Sequence, residues 1–167
     1  MNDHISLIAA ISVRTRALGK DGDLLWQIRE DMKRFVEITT GHPVVMGRKT
    51  WESIPEKYRP LSKRTNIVVT RQSDYAAGGA EVATSLEVAL AIARTSEGSS
   101  EIFIIGGGEL YKESLPLATK LYMTLIDDEK DADVFFPEYE NLFTKKTFDE
   151  SHESNGIKYE WVDLERE

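Results

Sequence analysis

The sequence contains no cysteine, which excludes a disulfide framework, a thiolate zinc site and a cysteine nucleophile, and fits a reducing cytoplasm. It also lacks a membrane-spanning run, because the apolar stretch at residues 5–13 is too short to cross a bilayer. The opening Met1-Asn2-Asp3-His4 has no lysine or arginine of the kind that begins a secretory leader. Positive charge is scarce: 21 Lys and Arg against 29 Asp and Glu leave a formal charge of −8. That balance repels phosphate backbones and anionic membranes at long range, so nucleic acid is a poor partner and an anionic ligand needs a local basic patch. Internal repeats, low-complexity tracts and interdomain linkers are absent as well. What is present is a chain of 167 residues, 41% hydrophobic and 30% charged. This predicts one cytosolic domain with enough interior to hold its own core.

Short apolar runs rich in β-branched residues predict strands at 5–13, 44–46, 67–70, 102–105 and 121–126, each buried on both faces. Helical spacing predicts helices at 28–39, 49–54, 86–94 and 109–115, the third opened by a capping box of Thr84 and Glu87. Alternation of the two implies a mainly parallel sheet with helices on both faces. Near the end, Ile157, Tyr159 and Trp161 alternate with Lys158, Glu160 and Val162, the pattern of a late antiparallel strand with one wetter face. Gly78-Gly79, Gly98-Ser99-Ser100 and Asn155-Gly156 are read as turns.

In a parallel sheet of this type, ligands bind beyond the carboxyl ends of the strands. Val44-Val45-Met46 is followed there by Gly47-Arg48-Lys49-Thr50, and Ile102-Phe103-Ile104-Ile105 by Gly106-Gly107-Gly108, each opening a helix. A glycine turn at a helix start aims backbone N–H groups and the positive dipole end at one spot, which suits phosphate. Neither stretch fits a standard fingerprint, since Tyr111 stands where the dinucleotide pattern needs glycine and Arg48 where the P-loop needs lysine. Taken alone, each is equally a tight turn. Thr70-Arg71 ends another strand, and its convergence with Arg48 and Lys49 would make a cationic pocket for a dianion such as a ribose phosphate.

On the first helix the inward stripe is Ile28, Met32, Phe35, Ile38 and Thr39, and Asp31 lies beside it. Glu30 points outward and suits the helix dipole better. A carboxylate next to an apolar face either has a raised pKa or meets a hydrogen-bond donor, and it is a candidate for proton chemistry. Ahead of it, Gly19-Lys20-Asp21-Gly22-Asp23-Leu24-Leu25-Trp26 is a polar stretch with a bulky apolar end. It reads either as a loop that folds its tip over a ligand or as a surface loop whose Trp26 anchors in the core.

Ile5-Ser6-Leu7-Ile8-Ala9-Ala10, the 19–26 loop, Asp31 followed by Phe35, Val45-Met46-Gly47-Arg48-Lys49-Thr50-Trp51, Arg64-Thr65-Asn66-Ile67, Ile104-Ile105-Gly106-Gly107-Gly108 and Phe136-Pro137 run in order over essentially the whole chain. Together they resemble dihydrofolate reductase. The resemblance implies an α/β fold, an eight-stranded mixed, mainly parallel sheet flanked by four helices, with an adenosine-binding subdomain at residues 42–99. It implies hydride transfer from NADPH to C6 of 7,8-dihydrofolate with protonation of N5, in one-carbon metabolism, by a cytoplasmic monomer that uses no metal.

By position, Asp31 would bond the 2-amino group and ring N3 of the pterin, and Thr124 would bond Asp31. Trp26 would hold an ordered water, with Leu24 in the loop beside the reacting centre. Ile8, Met32, Phe35, Ile54 and Ile105 would sandwich the rings, and Arg64 would fork onto the glutamate α-carboxylate. Ala10, Leu18, Ile105, Gly106 and Tyr111 would meet the nicotinamide end. Gly47, Arg48, Lys49 and Thr50 with Gly107, Gly108, Glu109 and Leu110 would take the pyrophosphate. Arg48, Lys49, Thr70 and Arg71 would face the 2′-phosphate, which predicts NADPH over NADH, and Gly106-Gly107 matches a cis peptide of the family. Leu25 departs from the family's usual proline, which would free the open loop by roughly 0.4–1 kcal/mol if the folded geometry is unchanged. Two rivals are a riboflavin-pathway reductase on the same scaffold and a catalytically silent nucleotide-binding protein; Asp31, Phe35 and Arg64 together favour folate.

Overall fold

The computed structural model describes residues 4–167, so the reading of Met1–Asp3 lies outside the described residues. In chain order the strands are β1 (Ile5–Ser12), β2 (Ala17–Lys20), β3 (Asp23–Leu24), β4 (Val44–Gly47), β5 (Asn66–Val69), β6 (Glu81–Ala83), β7 (Ile102–Ile104), β8 (Lys120–Ile126), β9 (Val134–Phe135), β10 (Lys145–Ser154) and β11 (Ile157–Glu165). The helices are α1 (Arg29–Thr39), α2 (Arg48–Ser53), α3 (Leu86–Arg94) and α4 (Gly108–Ser114).

Eight strands form the main sheet in the order β10-β11-β8-β1-β7-β4-β5-β6. Pairing is parallel from β8 across to β6, while β11 lies antiparallel on β8 and β10 antiparallel on β11. Successive residues of the central strands enter opposite layers. Val45, Ile67, Ile102 and Ile104 pack with Leu86, Ala89, Leu90 and Ala93 of α3 and Leu110 of α4. Val44, Met46, Val68 and Phe103 pack with Trp51 of α2 and Ile38 of α1. With helices over both faces no strand residue needs to meet water, which is why the apolar runs are unbroken in sequence. Among the described residues no helix is long and apolar enough to cross a membrane.

The structure corrects several sequence expectations. The N-cap of α3 is Ser85, not Thr84: Ser85 Oγ accepts the Val88 N–H at 3.1 Å. Thr84 follows directly on β6, so the first residue free to take the extended cap conformation with a helix behind it is Ser85. The alternation expected at the C-terminus holds over the first half of β11 and then stops, because Val162, Asp163 and Leu164 are all buried. Asp163 is tolerated there by the Arg34 guanidinium at 3.0 Å. The 19–26 stretch is a hairpin of β2 and β3, which form a second, three-stranded sheet with β9. Asp21 and Gly22 turn it with φ of 52° and 84°, the positive pair of a tight primed turn. Gly19 is required by close approach, since a Cβ there would lie 2.8 Å from the Asp23 carbonyl oxygen.

Candidate active site

Three groups of residues meet at the carboxyl ends of the central strands. The first is the pair of glycine turns. β4 and β7 are neighbours in the sheet, with Val45 opposite Ile104, so the segments that follow them are brought side by side. The Gly47 N–H donates to the Gly106 carbonyl at 2.8 Å, and the Gly106-Gly107 peptide is cis. Both α2 and α4 follow an N-cap glycine that makes no side-chain cap bond, so among the described residues no side chain claims their first-turn N–H groups. The floor between them is close-fitting: a Cβ on Gly106 would lie 3.4 Å from Thr50 Oγ1 and 3.5 Å from the Tyr111 hydroxyl. Gly106 is buried with a φ of 127°, a backbone conformation that favours glycine, and Gly107 beside it is half-buried.

The second group is cationic. The parallel register of Gly47 on Val69 carries Arg48 and Thr70 to the same end of adjacent strands, with Lys49 and Arg71 next to them. Lys49 and Arg71 are exposed and Thr70 is buried. Arg48 Nη1 donates to Glu52 Oε1 at 2.8 Å, and the Tyr75 hydroxyl donates to the other Glu52 oxygen at 2.7 Å. The Tyr75 bond, with Arg48 second, holds the Glu52 carboxyl below the usual carboxylate range. One acid among three cations leaves the patch positive on an acidic protein. These uncapped amides, glycine turns and cations fit the phosphates of a dinucleotide.

The third group centres on Asp31, which enters from the first turn of α1. Thr124 of β8 and Trp161 of β11 are directly paired across the two strands. Both donate to the same atom: Thr124 Oγ1 lies 2.5 Å and Trp161 Nε1 2.9 Å from Asp31 Oδ1. Of the two outcomes open for this carboxylate, the hydrogen-bonded one is seen. Asp31 Oδ2 has no protein partner among the described residues. Further along the expected stripe, Phe35 and Ile38 are only partly buried and Met32 is 48% exposed, so α1 leaves apolar surface uncovered beside the carboxylate. Ile8, Ile54 and Ile105 lie half-buried against the layer built on Met46 and Phe103.

At the far end of α1, Arg64 Nη1 donates to Thr39 Oγ1 at 2.8 Å, and its guanidinium stands 6.0 Å from the Phe35 ring centre. Burial pulls this guanidinium below its ordinary pKa, a cost that an anionic partner offsets. Asp31 and Thr39 are separated by eight residues of helix, about 12 Å at the usual rise per residue. A ligand with an amidine at one end and a carboxylate at the other spans that distance.

Tyr111 is fully buried, its hydroxyl donating to the Ile8 carbonyl at 2.6 Å, and burial pushes its ionisation well up, so it stays a neutral phenol. Ala10 is half-buried, Leu18 and Leu110 are buried, and Glu109 is exposed. In the hairpin, Leu24 is 56% exposed while Trp26 is buried with Ala17, Ile28, Ile126 and Tyr159. Trp26 thus anchors in the core while Leu24 projects. Its indole N–H donates to Asp128 Oδ2 at 3.0 Å, so the donor expected to hold a water is engaged by a carboxylate. The Leu25 N–H donates to the Leu18 carbonyl at 3.4 Å, a bond proline cannot make. The entropic gain expected from proline at that position is therefore offset by a lost hydrogen bond of comparable worth, about 0.5–1.5 kcal/mol.

Asp128 and Trp161 escaped the sequence reading. A helix-period argument finds Asp31, but its partners are set by the register of two strands far apart in sequence. The Trp26 indole is the main cause holding the Asp128 carboxyl below the usual range. The folded value is depressed, so this contact contributes above the ordinary carboxyl pKa and is lost as pH falls through the lower folded value. In ¹⁵N-labelled protein the Trp26 indole resonance is expected to stay constant from neutral pH to about pH 4 and to move only below it; movement near neutrality would contradict the bond.

The chain has known relatives in sequence and fold. A family profile described as dihydrofolate reductase matches residues 4–166. Dihydrofolate reductase type 3 of Salmonella typhimurium is 43% identical over 166 residues, covering 98% of each chain. The dihydrofolate reductase of Neisseria gonorrhoeae is 42% identical over 160 residues, covering 95% of each. Dihydrofolate reductase from Enterococcus faecalis, solved in complex with NADP(H) and RAB-propyl, shares the fold with a TM-score of 0.86 at 32% identity, over 98% of this chain and 96% of that one. A match that runs the length of the chain in both sequence and fold, over a sheet whose carboxyl ends carry the glycine clasp, the cationic corner and Asp31, means that this chain belongs to the dihydrofolate reductase family.

Proposed function

We propose that the site works as follows in an enzyme that reduces 7,8-dihydrofolate to 5,6,7,8-tetrahydrofolate with NADPH. The observation that carries the assignment of roles is the pairing of a half-satisfied carboxylate, Asp31, with a partly buried guanidinium, Arg64, at opposite ends of one helix. Asp31 Oδ2 accepts from the 2-amino group and N3 of the pterin. Ile8, Met32, Phe35, Ile54 and Ile105 cover the rings, and Arg64 binds the glutamate α-carboxylate through its fork. NADPH, when bound, supplies the hydride that reaches C6.

The negative charge of Asp31 favours a proton at N5, delivered by water that the 19–26 hairpin admits. Trp26 anchors that hairpin and Leu24 closes over the reacting centre. Ala10, Leu18, Gly106 and Tyr111 line the nicotinamide end. The first-turn amides of α2 and α4, with Thr50, Glu109 and Leu110 alongside, hold the pyrophosphate. Arg48, Lys49, Thr70 and Arg71 take the 2′-phosphate. Residues 42–99 form an adenosine-binding subdomain that shifts against the rest. The protein acts as a cytosolic monomer with no nucleic-acid partner, in keeping with its charge.

The direct test follows loss of reduced-nicotinamide absorbance with dihydrofolate, using NADPH and NADH side by side. Turnover is expected with both components present and to favour NADPH. Arg71→Ala is expected to narrow that preference about tenfold, the worth of one charge-assisted hydrogen bond. NADPH binding without turnover would make the chain a silent nucleotide binder, and equal use of NADH would remove the 2′-phosphate site. A riboflavin-pathway substrate turned over in place of dihydrofolate would overturn the roles of Asp31 and Arg64.

A further inference from the structure

We propose that Trp161 is a positioning residue for the reaction: its indole N–H, together with the Thr124 hydroxyl, holds Oδ1 of Asp31 and thereby presents Oδ2 to the substrate. The inference rests on the role given to Asp31 above and extends it to a residue on a strand at the other end of the chain.

Three observations carry it. Thr124 and Trp161 are cross-strand partners in the antiparallel pairing of β8 with β11, so both side chains rise from one place on the sheet. Both reach the same oxygen, at 2.5 Å and 2.9 Å. Indole nitrogen is a donor only, so this contact cannot invert; it demands an acceptor at Oδ1 whatever the state of the rest of the site.

The ring that delivers the donor is itself clamped. The Arg34 guanidinium stands 5.0 Å from its centre, and Arg34 is fixed by Asp163 at 3.0 Å with both side chains largely buried. The His152 ring also lies 4.1 Å away, with Tyr159 at 5.9 Å. A cation over the ring face is held by the π-system, so Arg34 ties β11 to α1, the element that carries Asp31. Indole and carboxylate therefore belong to one braced unit. A phenyl ring could make the packing contacts but not the bond.

The charged and titratable groups that face Trp161 are Asp31 and Arg34 from α1, His152 with its partner Glu150 from β10, and Tyr159 and Asp163 of β11. Of these, Asp31 receives the N–H. A donor aimed at a carboxylate favours its ionised form. Deleting it withdraws that support from the charged carboxylate.

The decisive variant is Trp161→Phe, which keeps a ring on Arg34 and His152 and removes the donor. NADPH affinity is expected to stay within about twofold of wild type, KM for dihydrofolate to rise roughly three- to tenfold, and the break in the pH profile of the hydride step to move up by about one pH unit, the scale of one hydrogen bond to a charged group. A role in packing alone would leave the profile in place. An unchanged profile with unchanged KM would overturn the proposal.

The wild-type protein provides a second measurement that is independent of how the variant folds. Of the three tryptophan indoles, the N–H resonance of Trp161 is expected to shift in Asp31→Asn, which removes the charge it donates to, while that of Trp26, bonded to Asp128, stays in place. A Trp161 resonance that ignores the substitution would also overturn it. The two readings fail separately: wild-type turnover in Asp31→Asn would remove the role of Asp31, whereas a crippled Asp31→Asn beside a Trp161→Phe enzyme with wild-type KM and profile would remove that of Trp161 alone.

Discussion

Asp31→Asn is expected to lower turnover at the hydride step by on the order of a hundred- to a thousandfold at neutral pH while leaving NADPH affinity unchanged. The geometry explains why so small a change is so costly. Oδ1 accepts from Thr124 and from Trp161, and the second of these cannot become an acceptor. An asparagine must therefore keep its carbonyl oxygen toward the two donors and turn its NH₂ toward the substrate. There it opposes the 2-amino group and N3–H of the pterin, donor against donor. The opposite rotamer would leave the indole N–H facing an amide NH₂, a penalty of about 1–3 kcal/mol for an unsatisfied buried group. Either orientation also removes the negative charge that favours a proton at N5. Single-turnover rates and NADPH titrations of the variant check this; wild-type turnover would take Asp31 out of the mechanism.

Arg64→Leu is expected to raise KM for dihydrofolate about a hundredfold with little change in kcat at saturation, since a fork onto a carboxylate contributes equally to ground and transition states. The size corresponds to about 2.7 kcal/mol, within the range of charge-assisted bonds. A reduced pterin without a glutamate tail provides the internal control, because it should be handled equally by variant and wild type. Arg64 also donates to Thr39 Oγ1 and to the Ser62 carbonyl. Leucine loses those bonds but relieves the burial that depresses the guanidinium, so folding stability should change little. An unchanged KM would place the tail elsewhere.

Much of the main sheet can be read from the chain because its strands are covered on both sides. The runs at 44–46, 67–70, 102–105 and 121–126 became β4, β5, β7 and β8 with edges moved by a residue or so. The polar strand β10 is different. It is a sheet edge exposed along nearly all its length, and nothing in Lys145–Ser154 alternates. Its turn was visible, since Asn155-Gly156 has φ of 50° and 81°. Asp21-Gly22 makes the same kind of turn and was the available signal for the β2–β3 hairpin.

At the site, helix spacing found Asp31 and the glycine turns found the clasp between Gly47 and Gly106. Strand pairing decided the rest. No local pattern says that Trp161 will stand opposite Thr124, or that the Trp26 N–H will meet Asp128. Such contacts join residues 37 and 102 positions apart, and only the assembled sheet specifies them. The Arg48–Glu52 pair is the reverse case: its spacing of four on α2 was available, yet it bears on the cationic corner only once β4 and β5 are placed side by side.

The most direct measurement is a crystal structure of the protein with folate and NADP⁺. The amidine edge of the pterin should lie on Asp31 Oδ2, with Oδ1 still held by Thr124 and Trp161 and the tail carboxylate on Arg64. An Asp31 side chain turned out to bulk solvent, or a pterin bound away from it, would contradict the mechanism.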